Sequence, residues 1–137
     1  MFGGMFGRNL AMLSREMDVS VLRRDVIANN VANADTPNFK RSVVNFESQL
    51  KRALDSGKAE RFPQYVTDSR HIVFDKPMDW RDVAPRRVLD YLTEAKNNGN
   101  NVDIEEEGMD SLNNQLLYTT LAQVVSSEFQ RVNIVLR

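Results

Sequence analysis

The sequence contains no cysteine, one histidine and one tryptophan among its 137 residues. Without thiols there can be no disulfide and no thiolate-bound zinc or iron–sulfur centre. His71 has no histidine at ligand spacing, so neither a zinc site nor a nucleophile–base pair is expected around it. The net charge of −1 lacks the basic excess that phosphate backbones select, so no nucleic-acid partner is expected. No run approaches the roughly 18 apolar residues of a membrane-spanning helix. Met1–Arg8 is rich in Gly and Phe, and Arg15, Glu16 and Asp18 break any apolar run after it. A secretory signal is not expected, so export, if it occurs, should proceed without cleavage.

What is present is dominated by two long helical patterns, one at each end. From about Asn9 to Ala34, Leu10, Leu13, Met17, Val21, Ala28 and Val31 recur at helical spacing. Thr36-Pro37 ends the pattern, because proline lacks the N–H and pushes its predecessor out of the helical region. From about Ile104 to Leu136 a second stripe runs through Leu117, Leu121, Val125, Phe129, Val132 and Leu136. Asp103 is placed to cap it, with Glu106 three residues later as in a capping box. Glu105, Glu106 and Glu107 suit the positive end of the helix dipole. The ends also differ in charge. Residues 1–41 carry six basic and four acidic groups, whereas residues 102–137 carry two basic and six acidic. Such asymmetry favours their lying together or meeting copies of themselves.

The middle is less regular. Phe46, Leu50 and Leu54 predict a short helix within Val43–Asp55, with Gly57 as its stop. Phe62–Phe74 reads as extended between Pro63 and Pro77. Residues 78–95 fit either a helix opened by Pro85 or a strand, and residues 97–101 (Asn-Asn-Gly-Asn-Asn) read as a turn. The expected fold is mainly α: long terminal helices pairing as a coiled coil, with a short, partly extended middle. Residues 1–40, 41–101 and 102–137 would form one domain.

No constellation carries catalysis. Asp68 and Ser69 lie near His71, but as side-by-side residues of an extended segment they point to opposite faces, so no triad with His71 follows. The Glu105–Asp110 run lacks the alternating ligands of a calcium loop, and Gly3, Gly4 and Gly7 precede no phosphate-binding Lys. The chain is read as a non-enzyme without a cofactor or metal.

The unusual feature is Ala28-Asn29-Asn30-Val31-Ala32-Asn33, followed by Thr36-Pro37-Asn38-Phe39-Lys40. Asparagine is a mediocre helix former. A helix unwinding before Pro37 accounts for Asn33 but not for Asn29 and Asn30, which sit further inside. A helix–helix contact that needs a fixed register accounts for both. This stretch resembles the N-terminal signature of the flagellar rod, hook and hook-associated family, with Asn38 standing where that family has glycine. Asparagine tolerates the left-handed turn that glycine would serve. Asn100-Asn101-Val102-Asp103-Ile104-Glu105 and Asn114-Gln115-Leu116-Leu117-Tyr118 are similar to the short proximal rod type within it.

The resemblance implies a structural subunit of the basal-body rod, self-assembling through terminal helices into a tube that transmits torque and encloses an export channel. It implies export by the flagellar type III apparatus and a position spanning the periplasm. Its partners would be copies of itself, other rod proteins, and basal adaptor and membrane-ring components. The expected assembly residues are Leu13, Met17, Val21, Asn29, Asn30, Val31, Asn33, Pro37 and Phe39 from the first segment. From the last they are Leu117, Leu121, Val125, Phe129 and Leu136. The alternatives are a helical cytosolic adaptor and the other short rod subunit.

Overall fold

A computed structural model describes residues 4–57, 67–68, 70–71, 78–93 and 97–136. The chain forms two compact units, one of residues 1–44 and 87–137, the other of residues 45–86.

The first unit is built on two long helices, α1 (Met5–Ala32) and α3 (Ile104–Val135), which pack against each other. At about 1.5 Å per residue their 28 and 32 residues span roughly 42 and 48 Å. α1 begins four residues earlier than its apolar pattern predicts and ends two earlier. Its last turn tightens through Ala34 N–H to the Val31 carbonyl (3.1 Å) and Thr36 N–H to the Asn33 carbonyl (3.0 Å), ahead of Pro37. α3 begins where Asp103 predicts: the Asp103 side chain accepts from the Glu105 N–H at 2.9 Å. The helices run antiparallel, because Ser20 meets Asn114 while Asn30 meets Glu107.

Strands β1 (Ser42–Asn45) and β2 (Arg86–Leu89) pair in a two-stranded sheet. β1 occupies the start of the segment expected to be helical. Val43 and Val44 are β-branched, and the Ser42 N–H that precedes them is held by the Asn30 side chain. Helix α2 (Glu47–Ser56) follows in the second unit, and Phe46 and Ala53 are buried. Gly57 closes α2 at φ −75, so this stop uses no left-handed residue. In the same unit, Asp79 caps a single 3-10 turn, Trp80–Asp82, by accepting from the Arg81 N–H at 2.9 Å. The Met78 N–H donates to Ser56 Oγ at 3.2 Å. Of the segment read as extended over 62–74, most lies outside the described residues. Asp68, Arg70 and His71 form a turn instead, closed by His71 N–H to the Asp68 carbonyl at 3.1 Å.

The buried residues of the first unit mix apolar Val19, Val26, Ile27, Ala34 and Val102 with polar Ser20, Asn30, Arg41, Ser42, Asn100, Asn101, Glu107 and Asn114. This core is therefore specified by hydrogen bonds as much as by apolar packing, since each buried polar group needs a partner.

Candidate functional site

The polar residues of this core converge where α1 ends, β1 begins and α3 begins. Asn30, fully buried, bonds through both the nitrogen and the oxygen of its amide. Its Nδ2 donates to the Ser42 carbonyl and to Glu107 Oε1, both at 2.9 Å, and its Oδ1 accepts from the Ser42 N–H at 3.0 Å. One side chain on α1 thus fixes the start of β1 and the first turn of α3 together.

Arg41, just before β1, completes the joint. Its guanidinium approaches Glu106 Oε1 at 2.8 Å, Glu107 Oε1 at 3.1 Å and Asp110 Oδ2 at 3.5 Å. Burial alone would lower its pKa, but the hydrogen bond to Glu106 and the charges of Glu107, Glu106 and Asp110 outweigh burial and raise it. Glu106 is therefore turned toward Arg41 rather than serving a capping box. Glu107 is 1% exposed, and its Oε2 is buried without a hydrogen-bond partner. Burial pushes its carboxyl above the ordinary value despite the opposing pull of Arg41 and of the Asn30 amide. The run Glu105–Glu107 thus divides: Glu105 is exposed, Glu106 is partly exposed and pairs with Arg41, and Glu107 forms part of the core.

Asn100 and Asn101 hold the turn that precedes α3. Asn100 Nδ2 lies 2.9, 3.0 and 2.8 Å from the carbonyls of Asn33, Ala34 and Thr36, tying the turn that follows α1 to the turn that precedes α3. Its Oδ1 accepts from the Val102 N–H at 2.7 Å. Asn101 accepts from the Arg41 N–H at 2.6 Å and donates to the Asp90 carbonyl at 2.7 Å. Asn38 adopts φ 58, the left-handed conformation for which it stands in place of glycine, and its N–H bonds the Asn98 carbonyl at 3.0 Å. Further along, Ser20 Oγ donates to Asn114 Oδ1 at 2.9 Å and Asn114 Nδ2 donates to the Ser20 carbonyl at 2.8 Å.

The expected assembly residues are distributed unevenly. Asn30 lies at the centre of this junction. Asn33 is half-buried and its Nδ2 bonds the Asn29 carbonyl at 2.8 Å. Asn29 is exposed and accepts from Arg87 at 3.2 Å. Pro37 is exposed and Phe39 half-buried. On α1, Leu13 and Met17 are half-buried, but Val21 and Val31 are 39% and 41% exposed, because the edge turned to α3 carries Val19, Val26 and Ile27. On α3, Leu117, Leu121 and Val125 are half-buried on the side of Asn114, while Phe129 and Leu136 are exposed. Arg41, Ser20 and Ser42 were not legible as site residues; nothing in the spacing of a lone Arg or Ser marks it as a buried bridge.

Among the described residues no group of three or more His, Cys, Asp or Glu side chains could hold a metal ion, and no helix is long and apolar enough to cross a membrane. His71 is exposed, its Nδ1 3.5 Å from Thr67 Oγ1. The fold and the junction define a class: a two-helix protein in which the end of the first long helix and the start of the last are clasped by a buried polar joint.

Comparison with known proteins agrees. The profile described as "Flagella basal body rod protein" matches residues 22–40, the segment that ends α1 and turns through Pro37. The flagellar basal body rod protein FlgB of Borrelia hermsii is 40% identical over 133 residues, covering 97% of this chain and 98% of that protein. The FlgB proteins of Borreliella burgdorferi and Bacillus subtilis are 39% and 30% identical, covering 96% of this chain and 98% and 95% of theirs. The chain belongs to the flagellar basal body rod protein family, a family of structural and not enzymatic proteins, and its place is in the basal body.

Proposed function

We propose that this rod subunit assembles with copies of itself and with other rod proteins through its terminal helices, forming a tube that transmits torque and surrounds an export channel. The observation that carries this reading is the exposure of apolar side chains on faces of α1 and α3 that the α1–α3 contact leaves uncovered. Val21 and Val31 on α1, and Leu112, Leu116, Tyr118 and Phe129 on α3, are all more than a third exposed. A helix apolar on two sides is suited to contacts on two sides. Leu13, Met17, Leu117, Leu121 and Val125 close the contact within the subunit, and Val21, Val31, Phe129 and Leu136 face neighbours. The junction around Asn30 sets the register that presents those faces.

On this reading the chain leaves the cytoplasm unfolded through the flagellar type III apparatus, without cleavage, and its ends become fully ordered on incorporation. The assembled tube spans the periplasm and rests on basal adaptor and membrane-ring components.

The test is Phe129→Asp, a charge on an exposed position that leaves the internal contact intact. Circular dichroism of the purified variant should match the parent, while isolated basal bodies lack it and the cells do not swim. Normal swimming with the variant present in basal bodies would count decisively against assembly through these faces.

A further inference from the structure

The turn that precedes α3 holds the one asparagine in the sequence that is followed by glycine, Asn98-Gly99. Asn98 is exposed, and Gly99 is half-buried at φ +78. The Asn98 side chain folds forward along the chain, its Oδ1 accepting from the Asn100 N–H at 3.1 Å. That bond closes an Asx turn, a ring that contains both the Asn98 Cγ and the Gly99 nitrogen. The Gly99 N–H has no hydrogen-bond partner among the described residues.

An asparagine side chain is open to attack by the backbone nitrogen of the next residue under three conditions. That nitrogen must be uncommitted, no side chain must crowd it, and the amide carbonyl must be polarised. Gly99 meets the first two. The Asn100 N–H meets the third, because it points at the oxygen on which negative charge develops during the attack. Other asparagines fail the first. Asn30 and Asn114 lie inside helices, where the next N–H belongs to the helical ladder. The N–H after Asn38 donates to the Thr36 carbonyl at 3.3 Å, and the N–H after Asn101 donates to Asn100 Oδ1 at 2.7 Å.

We infer that Asn98-Gly99 is a site of spontaneous conversion of asparagine to isoaspartate in the folded protein, and that the product loosens the junction between α1 and α3. The Gly99 nitrogen gives its proton to solvent and forms a bond to the Asn98 Cγ. The Cγ–Nδ2 bond breaks, and ammonia leaves from a five-membered cyclic imide. Water then adds to one of the two ring carbonyls, and the bond from that carbon to the Gly99 nitrogen breaks. Opening at the former backbone carbonyl leaves the chain running through Cγ, which is isoaspartate. Opening at Cγ gives ordinary aspartate. One water is consumed, one ammonia is released, and neither oxidant nor reductant is needed. Either product adds one negative charge to a chain of net charge −1. Isoaspartate also inserts one carbon into the backbone between residues 98 and 99. The turn is gripped on both sides of that point. The Asn38 N–H holds the Asn98 carbonyl at 3.0 Å, and Asn100 Nδ2 lies 2.8 Å from the Thr36 carbonyl. A longer backbone between the two grips cannot keep both at their present spacing.

The test incubates the full-length protein for weeks in mildly alkaline buffer, once folded and once in urea, and maps its peptides by mass spectrometry with fragmentation that separates isoaspartate from aspartate. The folded sample should gain the mass of an amide-to-acid exchange at residue 98 ahead of every other asparagine, with isoaspartate as the main product. Asn98→Gln, whose longer side chain closes such a ring far more slowly, should stay unconverted. The isoaspartate form, separated from its parent by anion exchange, should unfold at a lower urea concentration. Asn98→Asp, which keeps the backbone length and the acceptor for the Asn100 N–H, should unfold with the parent. Conversion in urea but not in the folded protein shows a turn closed to the reaction and overturns the site. Aspartate without isoaspartate overturns the cyclic route. Equal urea midpoints for the isoaspartate form and the parent overturn the effect on the junction.

Discussion

Asn30 donates its side-chain amide to Glu107 across 2.9 Å, joining residues 77 positions apart, and the same amide brackets the backbone of Ser42. Three chain segments are therefore registered by one side chain that uses both of its donors and its acceptor oxygen. Two helices with apolar edges can slide past one another by a turn at modest cost. A buried amide that loses three bonds on sliding cannot.

Asn30→Ala should be among the most destabilising substitutions in the chain. It leaves the Ser42 N–H and carbonyl and one contact of Glu107 without a partner, at a cost of about 2–4 kcal/mol. Asn30→Asp should be worse than its near-identical shape suggests, because it cannot donate to the Ser42 carbonyl and places a second carboxylate against Glu107. Urea unfolding monitored by circular dichroism measures both. Equal midpoints for the parent and Asn30→Ala would show that register is set elsewhere.

Glu107 gives the junction a pH dependence of definite sign. Burial raises its folded-state value above the ordinary 4.5 of the unfolded chain. Below 4.5 the carboxyl is neutral in both states and the folded state does not bury a carboxylate at this position. As pH rises from 4.5 through the raised folded value, the unfolded chain ionises first and stability falls. The groups around it are Arg41, Glu106, Asp110 and Asn30. Asp90 acts in the opposite direction: Thr93 and the Leu92 N–H hold its carboxyl below the ordinary 3.8, so its contribution is present above 3.8 and is lost as pH falls below it. Glu107→Gln should flatten the decline above pH 4.5 and leave the acid limb unchanged, as read from unfolding midpoints between pH 3 and 8. An undiminished decline in that variant would assign the effect to another group.

Much of this arrangement was legible in the residues and part was not. The helix boundary at Asp103 was visible because a cap and an acidic first turn are local signals. The left-handed turn at Asn38 was visible through the resemblance, because asparagine tolerates the conformation that the family's glycine would serve. The face of α1 that packs internally was not. Leu10, Met17, Val21 and Val31 make a good stripe, yet Val19, Val26 and Ile27 make another, and a helix apolar on two sides gives periodicity no means of choosing. β1 was missed for a related reason: Val43 and Val44 fit a helix or a strand locally, and the partner strand β2 that decides between them is distant in sequence. The role of Glu107 was hidden because a glutamate in a first helical turn already has a sufficient explanation in the dipole.

The turn before α3 depends on Gly99 and Asn38 jointly. Gly99 has φ +78, and a Cβ there would lie 2.6 Å from Asn38 Oδ1. Gly99→Ala should cost about 1 kcal/mol from backbone conformation alone, with more from the clash. Asn38→Gly removes the obstructing oxygen and suits φ 58, so on its own it should be near neutral. In the Gly99→Ala background Asn38→Gly should recover the clash component and leave the conformational part. Thermal midpoints of the four proteins separate the two, and strict additivity would mean the side chains do not compete.

The second register contact, Ser20 with Asn114, allows the strongest test of the antiparallel pairing. Asn114 is buried and bonds both the side chain and the backbone of Ser20. Asn114→Ala removes two buried hydrogen bonds, although the Ser20 carbonyl keeps its helical partner and the hydroxyl still reaches the backbone carbonyl of residue 114 at 3.5 Å. The cost should be about 1–2 kcal/mol. Ser20→Ala removes only the hydroxyl and should cost less, because Asn114 Nδ2 keeps its bond to the carbonyl. If the two face each other as placed here, the double variant should be less destabilised than the sum of the singles, by about 0.5–1 kcal/mol. Asn30→Ala, at the far end of the same helix pair, should add to Asn114→Ala within error, since the two share no partner. Strong coupling between those distant sites, with none between Ser20 and Asn114, would require a different register for α1 on α3.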